Sequence, residues 1–270
     1  MPELPEVETT RRGISPHIKG QQVSKVTVRQ PKLRWPVPKE LQQLEGLTIS
    51  HVDRRAKYLL LHTAKGTAII HLGMSGNLRV CDKNVKPGKH DHVDIEFNNG
   101  LLLRLQDPRR FGSVLWTTSK IEKHPLIRNL GPEPLTDDFD ADYLYQQSRN
   151  RKVNIKTFIM NAHIVVGVGN IYASESLFMA GINPKITAGR ISLKRYKKLV
   201  FAIKTVLTLA IEQGGTTLKD FVNADGQTGY FQLKLSVYGR TDQPCTHCNK
   251  PIKQITQAQR STYYCPQCQK

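Results

Sequence analysis

The sequence predicts an α+β fold in two domains, and three observations support this prediction. Short β-rich runs separated by turn signals fill residues 23–116, whereas the apolar spacing beyond residue 150 is that of helices. The C-terminal end holds two closely spaced cysteine pairs. We therefore expect an antiparallel β-domain with an N-terminal helix, followed by a helical domain and a small metal-binding module.

The N-terminal helix is predicted over residues 3–18, where apolar side chains recur at near-helical spacing. Pro2 stands where the first turn of a helix accepts proline. Removal of Met1 would also leave Pro2 with a secondary amine, which is partly neutral and nucleophilic near pH 7 because an α-amine has a pKa of ~7.7–8.0. Taken alone, the dipeptide more simply marks the beginning of a helix.

The β-domain is predicted from seven short runs rich in β-branched and aliphatic residues: 23–29, 47–52, 57–62, 67–72, 93–97, 101–105 and 113–116. The Asn98-Asn99-Gly100 sequence between two of these runs is typical of a hairpin turn. Many short strands without intervening helices favour an antiparallel sandwich or barrel. Cys81 lies in a strand-like segment and is expected to be a buried thiol.

The domain boundary is predicted at residues 131–134, a Gly-Pro-Glu-Pro sequence followed by an acidic cluster. We expect an N-terminal domain over 1–132, a linker over 133–152, a helical domain over 153–232 and a zinc module over 233–270. Helices are predicted over 153–161, 171–180 and 193–211, the last capped by Ser192 and ended by two glycines. Residues 216–232 lack periodicity and are predicted to form a loop.

The metal-binding module rests on the sequence Cys245-x2-Cys248 followed, after 16 residues, by Cys265-x2-Cys268. Two such pairs separated by ~15–20 residues are typical of a structural zinc site with four thiolate ligands. Two disulfides are the alternative, but the N-terminal residues are not those expected of a secretory signal, so we expect a cytosolic protein, in which thiols stay reduced. We predict one structural Zn²⁺ ion.

The charge distribution predicts a polyanionic partner. The chain carries 40 Lys+Arg and 22 Asp+Glu, a net charge of +18, of which residues 1–150 contribute 23 − 17 = +6 and residues 151–270 contribute 17 − 5 = +12. A basic excess concentrated in one half favours nucleic acid. No apolar run approaches the ~20 residues of a membrane helix, so we expect a cytoplasmic, nucleoid-associated protein without a membrane partner.

Blocks spread along the whole chain resemble the bacterial formamidopyrimidine-DNA glycosylases. They are PELPEVET at 2–9, RRAKYLL at 54–60, HLGMSG at 71–76, KHDHVD at 89–94, DPRRFG at 107–112, GVGNIYASE at 167–175, QGGTTLKD at 213–220 and the four-cysteine tail. The resemblance implies a flattened β-sandwich, a helix–two-turn–helix domain, a lesion-recognition loop within 216–232 and a β-hairpin zinc finger, with DNA between the domains. It implies a monomer that excises oxidised purines from damaged double-stranded DNA and then cuts the strand on both sides of the sugar.

The resemblance also implies roles for individual residues. Pro2 would attack the sugar carbon C1′ to form an iminium, Glu3 would act as the acid/base, and Lys57 and Arg260 would assist proton transfer and elimination. Seven residues would bind DNA, three of them by filling the gap that base flipping leaves. The gap-filling residues are Met74, Arg109 and Phe111, and the phosphate contacts are His90, Arg151, Lys156 and Asn170.

Three alternatives remain open at this point, one of them a family member that binds damaged DNA but is inactive because its N-terminus is blocked. The related endonuclease VIII branch shares Pro2, Glu3 and a zinc finger but prefers oxidised pyrimidines; Leu4, the block at 109–111 and the loop at 216–232 favour the purine branch. A non-enzymatic DNA- or RNA-binding zinc protein would explain the charge and the cysteines, but it would not explain Glu3 beside a processable proline.

Overall fold

A computed structural model describes residues 2–214 and 235–270 of the chain, so the loop predicted over 216–232 lies outside the described residues. The chain divides into two compact units. Of the described residues, 2–128 belong to the first unit, and 129–213 together with 235–270 belong to the second.

The first unit is built on two four-stranded antiparallel sheets, which confirms the predicted β-architecture. One sheet has the order β1-β6-β7-β5 and the other β2-β3-β4-β8. The strand bounds are β1 Val23–Val28, β2 His51–Arg55, β3 Tyr58–His62, β4 Thr67–His71, β5 Asn77–Asp82, β6 Asp91–Phe97, β7 Leu101–Gln106 and β8 Ser113–Thr117. Aliphatic side chains from both sheets share one buried core.

The N-terminal helix α1 spans Leu4–Ile18 and packs on strands of both sheets. Four apolar side chains of α1 are at most 1% exposed, as their spacing predicts: Leu4, Val7, Ile14 and Ile18. Each contributes about 1.5–3 kcal/mol relative to an exposed position. This burial fixes the start of the helix against the sheets.

Three details of the β-domain differ from the sequence prediction. Strand β5 was predicted only as a strand-like segment around Cys81 and not as one of the seven runs, because its polar residues break the alternation of a half-buried strand. The run at 47–52 is mostly loop, and the strand begins only at His51, although Ile49 is buried in the core. Cys81 is half-buried rather than buried.

The described part of the second unit holds four α-helices, of which the last three were predicted and α2 was not. They are α2 Ala141–Ser148, α3 Ile155–Ile159, α4 Asn170–Met179 and α5 Leu193–Glu212, and both α2 and α4 pack on α5. Helix α2 lies in the stretch expected to be a linker. The acidic cluster there contains its N-cap, since Asp140 Oδ1 accepts a hydrogen bond of 2.7 Å from the Tyr143 amide.

The C-terminal end of the second unit is a small zinc-finger module. Strands β9 Lys253–Gln257 and β10 Arg260–Tyr264 form an antiparallel hairpin. Its apolar cluster is small, with Val237 and Ile252 packed against Phe178 of α4 and against two of the cysteines. Among the described residues, no helix combines the length and apolar character needed to cross a membrane.

Candidate active site and nucleic-acid interface

The start of α1 buries two carboxylates in a reciprocal capping arrangement. Glu3 is the N-cap, and its side chain accepts from the backbone of Glu6, while Glu6 Oε2 accepts a hydrogen bond of 2.7 Å from the Glu3 amide. Both residues are 2% exposed, and Pro2 before them is also buried. The two predicted catalytic residues Pro2 and Glu3 therefore lie at a rigid, desolvated helix N-terminus.

A carboxylate one turn further on connects α1 to the β2–β3 hairpin. Glu8 forms ion pairs with Arg11 (2.8 Å), Arg12 (2.9 Å) and Arg54 of β2 (3.3 Å). Burial alone would raise the pKa of Glu8, but the hydrogen bonds from Arg11 and Arg12 and the nearby charges hold it at about 2. Arg54 also donates to the Ala56 carbonyl at 2.8 Å, which ties α1 to the turn that carries Lys57.

Lys57 lies in the two-residue turn between β2 and β3, not in the strand that the sequence predicts for it. Ala56 has a φ of +54°, a left-handed conformation suited to such a turn. His71 of β4 lies close by, and burial, followed by the charges of Lys57 and Arg34, lowers its pKa to about 4. The ring is therefore neutral at physiological pH, and its Nδ1 accepts a hydrogen bond of 3.0 Å from the Gly73 amide.

Two loops of the first unit, residues 72–76 and 107–112, form an exposed surface that we call the two-loop patch. Met74 is 42% exposed and Phe111 43% exposed, which is unusual for large apolar side chains. The guanidinium of Arg109 lies 4.8 Å from the centre of the Phe111 ring, a cation–π contact. The three residues predicted to fill a gap in DNA are thus together on one surface.

A fully buried carboxylate holds the two-loop patch together. Asp107 accepts hydrogen bonds from Ser75 Oγ (2.9 Å) and from the Gly112 amide (2.7 Å), and Ser75 Oγ accepts in turn from the Arg109 amide (3.3 Å). Asp107 is not among the functional residues predicted from the sequence. An acidic residue beside two arginines in DPRRFG is the signal that could have identified it.

Close backbone contact also joins the two loops. Gly73 has a φ of +64°, and a Cβ at this position would lie 2.4 Å from the Gly112 nitrogen. Residues other than glycine therefore clash here whatever their side chain. The loop that carries Met74 therefore stays against the backbone of Phe111 and Gly112.

His90 lies at the edge of the same unit, directly before β6. It is half-buried, and its carbonyl accepts a hydrogen bond of 2.9 Å from the Asp107 amide. His92 is buried and its Nε2 lies 2.9 Å from the Asp107 carbonyl oxygen, so this ring packs inside the domain. His90 is therefore the one of the pair that can reach a ligand.

Two predicted DNA contacts and one predicted catalytic residue line one cavity of the second unit. Arg151, Lys156 and Arg260 border a space of about 430 Å³ together with Asn161 and several apolar side chains. Arg151 and Arg260 are exposed. Two guanidinium groups at one opening give this surface a strong attraction for anions.

Lys156 is only 1% exposed and does not fit its predicted role as a direct phosphate contact. Its ammonium donates to Asn170 Oδ1 (2.5 Å), the Ser261 carbonyl (2.8 Å) and Thr262 Oγ1 (2.8 Å). These acceptors lie on α4 and β10, more than ten residues away. The lysine instead fixes the Asn170 amide at the first position of α4, where helix amides also point outward.

The hairpin turn of the zinc module places Arg260. Ala258 and Gln259 both have positive φ, 46° and 61°, so the two-residue turn is of the left-handed type that matches strand twist. Arg260 follows directly and pairs with Gln257 across the hairpin. Its guanidinium is thus carried by the tip of a rigid ribbon.

The four cysteines fit a zinc ion. All four sulfurs lie within 4.8 Å of one another, with Cys245–Cys268 at 3.9 Å and Cys248–Cys265 at 3.4 Å. A tetrahedral site with Zn–S bonds of about 2.3 Å requires sulfurs ~3.8 Å apart. Four thiolate ligands leave no position for a reactive water, so the zinc is structural.

Glu175 is a further residue that the sequence analysis missed. Its carboxylate is buried in α4 and accepts backbone hydrogen bonds of 2.8–3.0 Å from Ser236, Val237 and Tyr238. It anchors the chain that leads into the zinc module. The signal was available, since Glu175 is the single acidic residue between positions 151 and 211.

Comparison with protein families matches nearly the whole chain. Residues 1–114 match the formamidopyrimidine-DNA glycosylase N-terminal domain, residues 130–222 match the helix–two-turn–helix domain of the same enzyme, and residues 242–270 match a zinc finger found in these glycosylases and in isoleucyl-tRNA synthetase. A formamidopyrimidine-DNA glycosylase of Marinobacter nauticus is 58% identical, and the match covers 100% of both chains.

Solved structures show the same fold. A mutant glycosylase of Lactococcus lactis bound to DNA containing Fapy-dG has a TM-score of 0.92 at 33% identity, with 99% of each chain covered. The wild-type enzyme of that organism, in complex with DNA containing an oxidised pyrimidine, has a TM-score of 0.90 at 34% identity, again with 99% of each chain covered.

Proposed function

The chain belongs to the formamidopyrimidine-DNA glycosylase family and is a DNA glycosylase of base excision repair, and from this premise we propose that it excises oxidised purines and then cleaves the strand as a lyase. The observation that carries the proposal is the start of α1. A buried proline in position 2 precedes a buried carboxylate whose place is fixed by Glu6. The proposed enzyme acts as a monomer on damaged double-stranded DNA in the cytoplasm.

In the first step, the Pro2 nitrogen bonds to C1′ while the glycosidic bond breaks, and its electron pair leaves with the base, which takes up a proton. The nitrogen loses its own proton, the C1′–O4′ bond opens and O4′ is protonated, which gives an iminium. The helix N-terminus and desolvation favour the neutral amine that this step requires. Because the amine is secondary, the iminium cannot lose its charge at nitrogen.

Glu3 is the proposed acid/base. It can protonate O4′ as the sugar opens and then take up a proton, since its carboxyl group adjoins the attacking nitrogen along the chain. Loss of a C2′ proton expels the 3′ phosphate, and loss of a C4′ proton expels the 5′ phosphate. Water then hydrolyses the iminium and releases Pro2.

Lys57 and Arg260 have distinct proposed tasks. Lys57 projects from the β2–β3 turn and assists proton transfer at the base, where the neutral His71 ring adds no competing charge. Arg260 holds the phosphate that leaves in the second elimination, as a fork of donors suits phosphate oxygens. The zinc ion supplies rigidity to the Arg260 hairpin and takes no part in bond breaking.

DNA binding divides into gap filling and phosphate contacts. Met74, Arg109 and Phe111 of the two-loop patch would occupy the gap left by the flipped nucleotide. His90, Arg151 and Asn170 would contact phosphates. The remaining predicted contact, Lys156, would act by orienting the Asn170 amide, because its own ammonium is buried.

Oxidised pyrimidines are the second candidate substrate, favoured by the solved relative bound to such a lesion. Borohydride trapping compares the two substrates, since it reduces the iminium to a stable amine. We expect a covalent adduct on a duplex with 8-oxoguanine opposite cytosine that exceeds the adduct on an oxidised-thymine duplex. A stronger adduct on the thymine lesion would move the protein to the endonuclease VIII type.

Pro2→Gly tests the nucleophile, with Pro5→Ala, three residues further along the chain, as the matched control. We expect Pro2→Gly to slow excision far more than it weakens DNA binding, and Glu3→Gln to slow it by ~10²–10⁴-fold. Mass analysis of the N-terminus must first show that Met1 is absent, since an amide at Pro2 could not attack. Wild-type turnover by Pro2→Gly would refute the assignment.

A further inference from the structure

A cluster of two histidines and an aspartate lies in the first unit, away from the residues of the proposed active site. His51 of β2 and His62 of β3 are direct cross-strand partners, and their rings stack at 4.1 Å with an angle of 7° between planes. Asp53 is two residues beyond His51 and therefore on the same face. Its Oδ2 lies 3.3 Å from His51 Nε2 and 3.4 Å from His62 Nε2.

Ser50 holds the His51 ring at the nitrogen that lies away from Asp53. Ser50 Oγ donates to the His62 carbonyl at 3.1 Å and lies 3.0 Å from His51 Nδ1. The other ring nitrogen, Nε2, lies 3.3 Å from Asp53 Oδ2. In the tautomer that carries its proton on Nδ1, the ring therefore offers the lone pair of Nε2 to a cation beside the Asp53 carboxylate.

His62 presents a second nitrogen of the same kind. Within the described part of the chain, its buried Nε2 has no hydrogen-bond partner, although Thr67 Oγ1 lies 3.1 Å from its Nδ1. The ring of His62 therefore has one nitrogen beside a hydroxyl and a second that lies 3.4 Å from Asp53 Oδ2.

We propose that His51, Asp53 and His62 bind a divalent transition-metal ion, separate from the four-cysteine zinc. One ligand atom from each lies within 4.8 Å of the other two. Two imidazoles and one carboxylate suit Zn²⁺, Ni²⁺ or Cu²⁺ rather than Mg²⁺ or Ca²⁺, which prefer oxygen ligands. Water would complete the coordination, because His51 and Asp53 are both about half exposed.

The hydroxyl groups of Ser50 and Thr67 complete the pattern of a metal site. Histidine ligands in proteins usually engage their second ring nitrogen in a hydrogen bond, which fixes the ring. Both histidines here do so. The bound ion would join the edge strand β2 to β3 at the end of the hairpin opposite Lys57, about four residues or ~13 Å away along the strand.

The test is a zinc titration of the full chain that already holds one zinc per molecule. We expect a second equivalent to bind, measured by equilibrium dialysis with metal analysis. In ¹⁵N-labelled protein, the ring-nitrogen signals of His51 and His62 should shift on binding, and those of the other seven histidines should not. A stoichiometry that stays at one, or unshifted signals for the pair, would overturn the proposal.

Variants separate this site from general surface binding. His62→Gln and Asp53→Asn should abolish the second equivalent, and Ser50→Ala should weaken it by ~10–100-fold. His17→Gln, which removes an exposed histidine of α1, is the matched control and should bind as the unmodified protein does. A second equivalent that survives both His62→Gln and Asp53→Asn would show that the ion binds elsewhere.

Discussion

The two units of this glycosylase position their exposed functional side chains through buried groups of opposite charge. In the first unit, the carboxylate of Asp107 accepts hydrogen bonds from both loops of the two-loop patch. In the second unit, the ammonium of Lys156 donates to α4 and to the zinc-finger hairpin. Both groups are at most 1% exposed, so in the proposed function they would act on DNA through their neighbours.

The difference lies in what surrounds each buried group. Asp107 lies at the edge of an eight-strand sandwich with an extensive aliphatic core. Lys156 joins a helix to a module whose core is only a few side chains, so the zinc must supply the rest of its stability. A perturbation of the first unit should therefore affect the structure only near the altered site, whereas a perturbation of the second unit should affect the stability of that whole unit.

Zinc removal should produce the largest effect, and it should change the second unit while the first unit stays folded. Structural zinc contributes about 10–16 kcal/mol in small fingers, so chelation should unfold the module and greatly reduce DNA affinity. Both tryptophans, Trp35 and Trp116, lie in the first unit, whereas most tyrosines lie in the second. We expect the tyrosine circular dichroism to change and the tryptophan fluorescence to persist; loss of both signals together would contradict the contrast.

Removal of the Lys156 ammonium should be the next largest effect. Lys156→Met leaves three acceptors without their donor, one of them the hydroxyl of the buried Thr262, and we expect a loss of about 3–5 kcal/mol in the free energy of unfolding. Its DNA affinity should fall because Asn170 is no longer oriented. Denaturant unfolding and binding titrations measure the two quantities.

A double-mutant cycle distinguishes orientation from direct contact. If Lys156 acts through Asn170, then Asn170→Ala should cost little further affinity in a Lys156→Met background. Additive losses would show instead that the lysine contacts DNA itself. In the first unit, Asp107→Asn is the variant that corresponds to Lys156→Met. It should lower the affinity for DNA by no more than the double variant Phe111→Ala/Arg109→Gln does.

Acid should destabilise the first unit through His71 and then Glu8. Both pKa values are lowered in the folded state, so the stability that they contribute is present at neutral pH and lost as the pH falls. His71 should lose about 3 kcal/mol between pH 6.5 and 4, and Glu8 a similar amount between pH 4.5 and 2. The melting temperature, followed by tryptophan fluorescence, should fall less steeply with decreasing pH in His71→Gln than in the unmodified protein. The control His17→Gln should show the same pH dependence as the unmodified protein.

The smallest stability effect should come from the two-loop patch. Phe111→Ala should change the free energy of unfolding by about 0.5 kcal/mol, since the ring is 43% exposed. It should still weaken binding to a lesion duplex at every salt concentration. Arg151→Gln should instead reduce the slope of log affinity against log salt concentration by about one unit. Equal slopes for the two variants would contradict the distinction between a gap-filling residue and a phosphate contact.

The sequence was sufficient for features set by local spacing. The apolar positions of α1, most strands and the cysteine pairs follow from periodicity or spacing alone. Long-range contacts were not predictable in this way. An isolated Lys156 is expected at the surface, and only Ser261 and Thr262, more than a hundred residues later, explain its burial. Helix α2 was missed because its cap, Asp140, belongs to a cluster that resembles a linker.

The cross-strand pairing of His51 with His62 could not be predicted from the sequence either, although both residues belong to one hairpin. The two residues are 11 positions apart, and their contact depends on the register that the turn at Ala56 sets. A register shifted by one residue would place the rings on opposite faces. The sequence predicted both strands approximately, but a difference of a few residues in β2 was enough to hide the cluster.

The reciprocal cap at the start of α1 also limits the internal rotation of the proposed nucleophile. The Glu3 amide is held by Glu6 Oε2 at 2.7 Å, which fixes the plane of the peptide bond that follows Pro2. The pyrrolidine ring already fixes the nitrogen relative to its own Cα, so a single backbone torsion remains. Little conformational entropy is then lost when the nitrogen approaches C1′. The nitrogen is already ordered by folding, so this ordering does not add to the activation free energy after DNA binds.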